Sequence, residues 1–191
     1  TQAIGLSALT LSDFRNYLDA HIDIGAHKVI VLTGHNGAGK TSILEALSLL
    51  SPGRGLRKAK LREITHRRRD VNGWVVGAQV NGLQGDVHIG TGLDTMSRTE
   101  KRIVKIDGGK PRSQLALAEH LSLIWQTPQM DGLFGDTPSE RRHFFDRLVY
   151  NFDSAHATRI NAYDHAMRER TQLLQSDYAD PIWLKTLENK M

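Results

Sequence analysis

Residues 29–50 constrain what this chain can fold into more than any other segment. The apolar run at residues 29–32 predicts a short buried strand, and Ile43, Leu44, Leu47 and Leu50 recur at helical spacing. Between them, residues 34–41 read GHNGAGKT, the phosphate-loop pattern in which glycine opens the loop and Gly-Lys-Thr closes it. The segment therefore predicts a strand, a phosphate loop and a helix, in that order.

A loop of this kind binds the phosphates of a nucleotide. Its glycines let the backbone N–H groups point inward, and the N-terminus of the following helix adds a positive dipole end. An ordinary glycine-rich turn is the alternative, but such a match arises by chance on the order of 1% of the time. We predict an ATP site with Mg²⁺, in which Lys40 reaches the phosphates and the Thr41 hydroxyl binds the metal. The predicted loop residues are Gly34, His35, Asn36, Gly37, Ala38, Gly39, Lys40, Thr41 and Ser42.

Length and composition limit the class of protein. A chain of 191 residues suits one domain, or one and a fraction, with a real core. The absence of cysteine excludes disulfides and cysteine metal sites. Without a long apolar run or a signal-peptide pattern, the chain is expected to be cytoplasmic. The net charge of +4 is a mild indication of polyanionic partners.

Alternating apolar residues predict two sets of strands. Residues 6–11 and 17–24 predict an antiparallel pair before the phosphate loop. In the turn between them, Arg15 and Asn16 either lie beside the nucleotide or belong to a solvated turn. Residues 74–80, 86–89 and 102–106 predict an antiparallel layer, with turns at residues 81–82, 92–94 and 107–109.

The second half of the chain is mostly helical in pattern. A helix over residues 113–120 is followed by another buried strand at residues 121–125. From Thr137 a capping box with proline at the first helical position predicts a helix whose Phe144, Phe145, Leu148 and Val149 face inward. A long polar helix is predicted over residues 153–175, and Pro181 opens a last short helix.

Residues 54–69 form a basic run that contains a single acid, Glu63. A run of this kind is most often a solvated face. Its density, close behind a nucleotide site, makes contact with the phosphate backbone of DNA the competing interpretation. The candidate DNA-binding residues are Arg54, Arg57, Lys58, Lys60, Arg62, Arg67, Arg68 and Arg69.

Hydrolysis would require a second acid on the metal and a group that positions water. The apolar stretches that end in an acid, residues 103–107 and 148–153, are poor candidates because neither is followed by glutamate. A Leu-Ser-Gly-Gly-type signature does not occur in the sequence. We therefore assign no catalytic residue and expect negligible ATP turnover by this chain alone.

Several segments together resemble the N-terminal half of the RecF family of bacterial recombination-repair ATPases. They are Phe14-Arg15-Asn16-Tyr17, the phosphate loop, residues 49–57 and the Pro-x-x-Arg-Arg-x-Phe-x-Asp run at residues 138–146. The resemblance implies an α/β P-loop NTPase fold, an ABC-type ATPase head like that of SMC proteins. It also implies a mixed sheet plus an antiparallel β layer in an ATP-binding lobe at residues 1–136. A helical lobe, incomplete here, would follow at residues 137–191.

The resemblance further implies a function. A chain that resembles RecF proteins is expected to dimerise on ATP and to bind single-strand/double-strand DNA junctions without sequence preference. They work with RecR and RecO to load RecA in DNA repair, replication-fork maintenance and the SOS response. Arg15 and Asn16 match the family's nucleotide-side motif, and Gln129, with Gln126 as second candidate, matches its metal-binding and γ-phosphate-sensing glutamine. Full-length relatives carry their signature motif and metal-binding acid after the helical lobe, so the chain looks like a fragment.

Three other interpretations remain. The nucleotide-binding domain of an ABC transporter shares the phosphate loop, but the basic run speaks against it. A small-molecule kinase would not normally place an antiparallel β layer at residues 74–106. A nucleotide-dependent binding module without catalysis fits the chain as it stands.

Overall fold

One antiparallel sheet of five strands organises the first part of the molecule. The computed structural model describes residues 5–25, 27, 29–67, 73–82, 85–97, 99–135, 137–150, 152–153, 155–176 and 180–189, without the side chains of Gln129, Tyr150 and Ala157. The strands are β1 (Gly5–Phe14), β2 (Tyr17–Asp23), β3 (Val75–Gly82), β4 (Gly85–Leu93) and β5 (Arg102–Ile106). Their order is β2-β1-β3-β4-β5.

Both predicted sets of strands are confirmed, and they form a single sheet. The link between them is β1, which pairs with β2 on one side and with β3 on the other. A mixed sheet would also contain parallel strand pairs, but every pair among the described strands is antiparallel. The α/β assignment holds, since helices accompany this sheet.

Two of the predicted turns are wrong and one is confirmed. Asn81 and Gly82 still belong to β3, where they pair with residues 86 and 85 of β4, and residues 92–93 still belong to β4. The turn at residues 107–109 is closed by backbone hydrogen bonds between Ile106 and Gly109. Turn-forming residues therefore occur inside these strands as well as between them.

The predicted buried strand at residues 29–32 is wrong. The segment lies outside the sheet, and the side chains of Val29 and Val31 are 80% and 77% exposed. Residues 121–125 also form no strand, although Leu121 and Leu123 pack partly against the core and Ile124 is exposed. A buried strand needs neighbours to satisfy its N–H and C=O groups, and no described strand pairs with either segment.

The predicted phosphate-loop helix is confirmed as α1 (Lys40–Ser48). Of the predicted apolar stripe, Leu50 is buried, Ile43 and Leu47 pack partly against the core, and Leu44 is exposed. Polar residues share the buried face: besides Ala46 and Leu49, the buried positions include Ser42, Glu45 and Ser48. A search for apolar residues alone cannot find these polar positions.

The remaining helices follow the predictions closely. After a short 3₁₀ turn at Gln114–Ala116 comes α2 (Leu117–His120), then a 3₁₀ segment at Pro128–Gly135. The later helices are α3 (Pro138–Tyr150), α4 (His156–Leu174) and α5 (Pro181–Glu188). The Thr137 hydroxyl accepts the Glu140 N–H at 3.3 Å, as the capping box requires. The predicted inward position of Phe145 is wrong, because its ring is half exposed.

The chain divides into two compact units, residues 1–128 and 129–191. The sheet, α1 and α2 belong to the first, and α3, α4 and α5 to the second. None of the helices in the described part of the chain has the length and apolar character that crossing a bilayer requires.

A buried arginine joins the end of α1 to the sheet. Arg102, the first residue of β5, is 6% exposed and donates from Nε to the Thr91 hydroxyl at 2.7 Å. Its guanidinium also donates to the Gly53 carbonyl at 2.8 Å and to the carbonyls of Leu49 and Ser51. Burial lowers the pKa of Arg102 to about 10, so it stays protonated at neutral pH. The negative end of the helix dipole favours this cation.

Replacing Arg102 with methionine should destabilise the first unit by about 3 kcal/mol. The substitution keeps the apolar stem but leaves several carbonyl oxygens without donors, and each buried unsatisfied group costs about 1–3 kcal/mol. Urea unfolding measures the difference. Lys101→Met, at an exposed neighbour, is the control and should change the free energy of unfolding by less than about 0.5 kcal/mol. Equal stability of the two variants would show that Arg102 does not anchor the helix.

Candidate phosphate-binding site

A cleft of about 700 Å³ lies at the N-terminal end of α1. Among the described residues that line it, every charged side chain is basic or histidine, and none is acidic. A cleft of this charge favours an anionic ligand. The lining residues are Arg15, Asn16, Asn36, Gly37, Gly39, Lys40, Thr41, Ser42, Arg57, Thr65, His66 and Arg67.

Glycine geometry shapes the loop that forms one side of this cleft. Gly37 and Gly39 have φ angles of +86° and +103°, which L side chains rarely adopt. The loop turns through a hydrogen bond from the Ala38 N–H to the His35 carbonyl at 3.2 Å. Helix α1 then begins at Lys40, and its first N–H groups have no acceptor within the helix. These groups and the dipole make the helix N-terminus suited to phosphate.

The predicted loop residues divide into those that line the cleft and those that support it. Lys40 Nζ donates to the carbonyls of Gly34 at 2.6 Å and His35 at 2.8 Å, so its ammonium lies against the loop. The Ala38 carbonyl lies 3.4 Å from the Tyr17 hydroxyl and 3.5 Å from the Asn16 amide. Gly34, His35 and Ala38 therefore contribute carbonyls to the scaffold, while the other predicted loop residues line the cleft.

The turn between β1 and β2 lies against the phosphate loop. Arg15 and Asn16 both line the cleft, and Asn16 is exposed. Most of the Arg15 guanidinium is engaged in hydrogen bonds to Glu45 and to the Glu63 carbonyl. Its predicted contact with a nucleotide stays a prediction.

A buried carboxylate that the sequence analysis missed lies behind the cleft. Glu45 on α1 is 2% exposed and accepts from Arg15 Nε at 2.8 Å and from Arg15 Nη2 at 2.5 Å. Arg57 Nη1 lies 3.4 Å from the same carboxylate, and Arg15 Nη1 donates to the Glu63 carbonyl at 2.9 Å. One signal was available in the sequence: a glutamate interrupts the apolar positions of α1 five residues after Lys40.

The backbone of the basic run is fixed at several points. The Leu56 N–H donates to the Ser48 hydroxyl at 2.6 Å, and the Trp74 indole donates to the Leu61 carbonyl at 2.7 Å. The Arg15 N–H donates to the Ile64 carbonyl at 2.7 Å, and Thr65 forms a β-bridge with Phe14. The described part of the run, which includes a 3₁₀ helix at Leu61–Ile64, is therefore attached to α1 and to the sheet.

The basic side chains of the run separate into groups. Arg57 and Arg67 line the cleft, and Arg62 pairs with Glu100 at 3.7 Å. Arg54, Lys58 and Lys60 are exposed. Arg68 and Arg69 lie outside the described residues. The role of these eight candidates in DNA binding stays a prediction, and two of them line the phosphate-binding cleft.

Candidate metal and catalytic groups are sparse. Within the described ranges, no cluster of three or more histidine and acidic side chains has the arrangement to hold a metal ion. Thr41, at the start of α1, lines the cleft. The side chain of Gln129 lies outside the described part of the structure, and Gln126 is exposed. The predicted roles of these residues stay predictions.

The two acids considered for hydrolysis have local structural roles. Asp107 Oδ1 accepts the His88 N–H at 2.8 Å and so secures the turn after β5. Asp153 accepts the Ala155 N–H at 3.0 Å just before α4. Its other oxygen accepts from Arg159, and this hydrogen bond lowers the pKa of Asp153.

A glycine-rich loop at a helix N-terminus, closed by Gly-Lys-Thr and backed by a basic cleft, defines a phosphate-loop nucleotide-binding domain. A family model described as an AAA domain matches residues 8–157, and the chain belongs to that family.

Two curated relatives identify the group of proteins that this chain resembles within that family. The chain is 47% identical to the DNA replication and repair protein RecF of Rhizobium leguminosarum bv. trifolii over 189 residues, which is 98% of this chain and 50% of the relative. It is 44% identical to RecF of Agrobacterium fabrum over 191 residues, or 100% of this chain and 50% of the relative. The chain spans about half the length of the curated relatives it matches. The predicted resemblance to RecF is confirmed.

Solved structures agree on the fold. A structure described as the recombination mediator protein RecF-ATP in the RecFOR pathway superposes with a TM-score of 0.84 at 22% identity, over 99% of this chain and 50% of that one. A second, described as RecF-ATPrS, gives a TM-score of 0.85 at 22% identity, over 100% of this chain and 51% of that one. The predicted α/β ATPase-head fold is thereby confirmed.

Replacing Gly39 with alanine should destabilise the loop more than the same change at Gly37. A Cβ at Gly39 would lie 2.5 Å from the Tyr17 hydroxyl and 2.6 Å from the Asn16 amide, whereas one at Gly37 meets nothing within 4 Å. Both substitutions carry the strain of a positive φ, at about 1–3 kcal/mol. Their difference in unfolding free energy, measured with urea, isolates the clash. Equal values would mean that the turn at residues 15–17 does not support the loop.

Proposed function

We propose that this chain is the ATP-binding portion of a RecF-type DNA-binding ATPase that acts in recombinational DNA repair, replication-fork maintenance and the SOS response. The observation that carries the proposal is the basic cleft over the phosphate loop and the N-terminus of α1. The names of the relatives, DNA replication and repair protein RecF, support the biological context. In the whole protein we expect ATP-dependent dimerisation and cooperation with RecR and RecO.

ATP fits this cleft through its phosphates. The N–H groups of the loop and of the first turn of α1 would hold the phosphate oxygens, and Lys40 would move from the loop carbonyls to the β- and γ-phosphates. Arg57 and Arg67 add positive charge at the cleft wall. A triphosphate gains more from this charge than a monophosphate does, because more of its charge is neutralised.

Mg²⁺ fits the site as a companion of the nucleotide. This ion usually keeps several waters and binds through one or two protein groups together with substrate phosphates. The hydroxyl of Thr41, which lines the cleft, is the group that would bind it here. When bound, the ion neutralises charge on the phosphates.

Lys40→Ala should weaken ATP binding at least ten-fold, because a charge-assisted hydrogen bond contributes about 1.5–3 kcal/mol. Isothermal titration calorimetry with ATP and Mg²⁺ measures the affinity. Lys110→Ala, which removes the same charge from an exposed position, is the control and should bind like the parent. Equal affinity of the Lys40 variant and the parent would contradict the ATP assignment.

ATP hydrolysis requires groups beyond those that bind ATP. The two acids that end apolar stretches accept hydrogen bonds from turn and helix-start N–H groups. We therefore propose that the chain binds ATP without hydrolysing it at a significant rate, since a bound phosphate without a positioned water gains little transition-state stabilisation. On its own the chain would then behave as a nucleotide-dependent binding module.

The exposed part of the basic run is the proposed DNA surface. Arg54 and Lys60 are exposed, and within the described part of the chain neither forms an ion pair. The fixed backbone beneath them holds their side chains on the surface. Contacts of this kind reach phosphates and carry no sequence information.

Replacing Arg54 and Lys60 together with glutamine should weaken binding to all DNA duplexes alike. It should also reduce the slope of log affinity against log salt by about 2, since each phosphate contact contributes about 0.9. Fluorescence anisotropy across a salt series measures both quantities. Lys105→Gln with Lys110→Gln, an exposed pair carrying the same charge, is the matched control. If both pairs lower the slope equally, net charge rather than the run attracts the DNA.

A further inference from the structure

The carboxylate of Glu45 is held by Arg15 in a rigid arrangement. Two donors of the guanidinium, Nε and Nη2, face its two oxygens at 2.8 and 2.5 Å. A third donor, Nη1, bonds the Glu63 carbonyl at 2.9 Å, and the side chain of Arg15 is 17% exposed. A two-point contact between arginine and a carboxylate fixes both groups in direction as well as in distance. Arg15 therefore balances the charge of Glu45 and stays in place.

Arg57 is held by the same carboxylate in a much looser way. One nitrogen, Nη1, lies 3.4 Å from Glu45 Oε2, and the side chain is 41% exposed. Arg57 also lines the phosphate-binding cleft, whereas the carboxylate does not. The adjoining backbone is fixed by the Leu56 hydrogen bond to Ser48 at 2.6 Å. The Arg57 guanidinium can thus reorient, while the backbone that carries it stays fixed.

We infer that Glu45 is a positioning residue of the phosphate site, which keeps Arg57 at the cleft wall ready to move onto an incoming phosphate. The ligand is the phosphate chain of a nucleoside triphosphate, so the inference rests on the proposed function. When Arg57 leaves, Glu45 keeps its two-point contact with Arg15 and is not left as an unpaired buried charge. Moving Arg57 from Glu45 to a phosphate therefore costs the protein little free energy.

The direction of the effect separates this role from simple electrostatics. Removing a negative charge near a polyanion site would by itself strengthen ATP binding. Removing a positioning group weakens binding, because Arg57 must then be ordered from many rotamers and is repelled by an unbalanced Arg15. We expect the second effect to dominate, because the carboxylate acts on Arg57 at contact but does not line the cleft in which the phosphates bind.

A double-mutant cycle tests the inference. Glu45→Gln and Arg57→Gln should each weaken ATP binding about ten-fold in calorimetry, and the double variant should be little weaker than Arg57→Gln alone. Non-additivity follows because Glu45 acts through Arg57. Losses that add, or a Glu45→Gln variant that binds as tightly as the parent, would overturn it.

The matched control is Glu63→Gln, which removes the same charge from the basic run. Its side chain is exposed and forms no ion pair within the described residues. Binding should equal that of the parent or be slightly tighter. A ten-fold loss here would mean that any charge change in the run weakens binding, and would overturn the specific role of Glu45.

Folding must be measured alongside, because Glu45 is buried. Thermal unfolding is recorded for every variant. If Glu45→Gln does not fold, Glu45→Asp replaces it in the cycle. This substitution keeps the charge, but the shorter side chain cannot reach both arginines. Its loss of affinity should be smaller, about three-fold, and should likewise vanish in the Arg57→Gln background. The Lys40→Ala result separates the failures: if it leaves ATP binding unchanged, the proposed function fails, whereas additive losses beside an intact Lys40 effect refute the inference alone.

Discussion

The buried carboxylate of Glu45 is the constraint on which the arrangement of the phosphate-binding cleft depends. An unpaired charge in this position costs several kcal/mol, so the fold must bring a cation to it. Arg15 comes from the β1–β2 turn, 30 residues earlier, and Arg57 from the basic run, 12 residues later. Satisfying one side chain therefore assembles the turn, the helix and the run at one point, and the cleft forms where the three segments meet.

The same assembly divides the side chains of the basic run between two surfaces. Its backbone is fixed to the Ser48 hydroxyl, the Trp74 indole and the β1–β2 turn, so each side chain has a defined direction. Arg57 and Arg67 line the cleft, while Arg54 and Lys60 are exposed. A disordered basic tail has no such division, because its charges are interchangeable. Under the proposed function, the charges nearest the phosphate loop would serve the nucleotide, and the exposed charges would remain for a nucleic acid backbone.

The sequence predicted features that local chemistry determines. Alternation of apolar residues located all five strands, and the Thr137 capping box and Pro181 located helix starts. The features it missed depend on partners distant in the chain. The exposure of residues 29–31 reflects the lack of a described strand beside them, and the buried role of Glu45 requires knowing that Arg15 lies opposite. Arg102 looked like an ordinary strand residue, since its acceptors are backbone carbonyls, which no side-chain pattern reveals.

The glycine-rich loop and α1 were nevertheless located correctly although the strand before them was not, and the reason lies in what supports the loop. The support comes from the hairpin turn and α1, not from the preceding segment: Gly39 lies against Tyr17 and Asn16 so closely that a Cβ would lie within 2.6 Å of both. Lys40 ties the helix start to the carbonyls of Gly34 and His35, and Arg102 secures the other end of α1. Glycines at positive φ and a lysine at the helix start are properties of the motif itself. The loop conformation therefore depends on the motif itself and on the β1–β2 turn against it, and no described strand pairs with the segment before it.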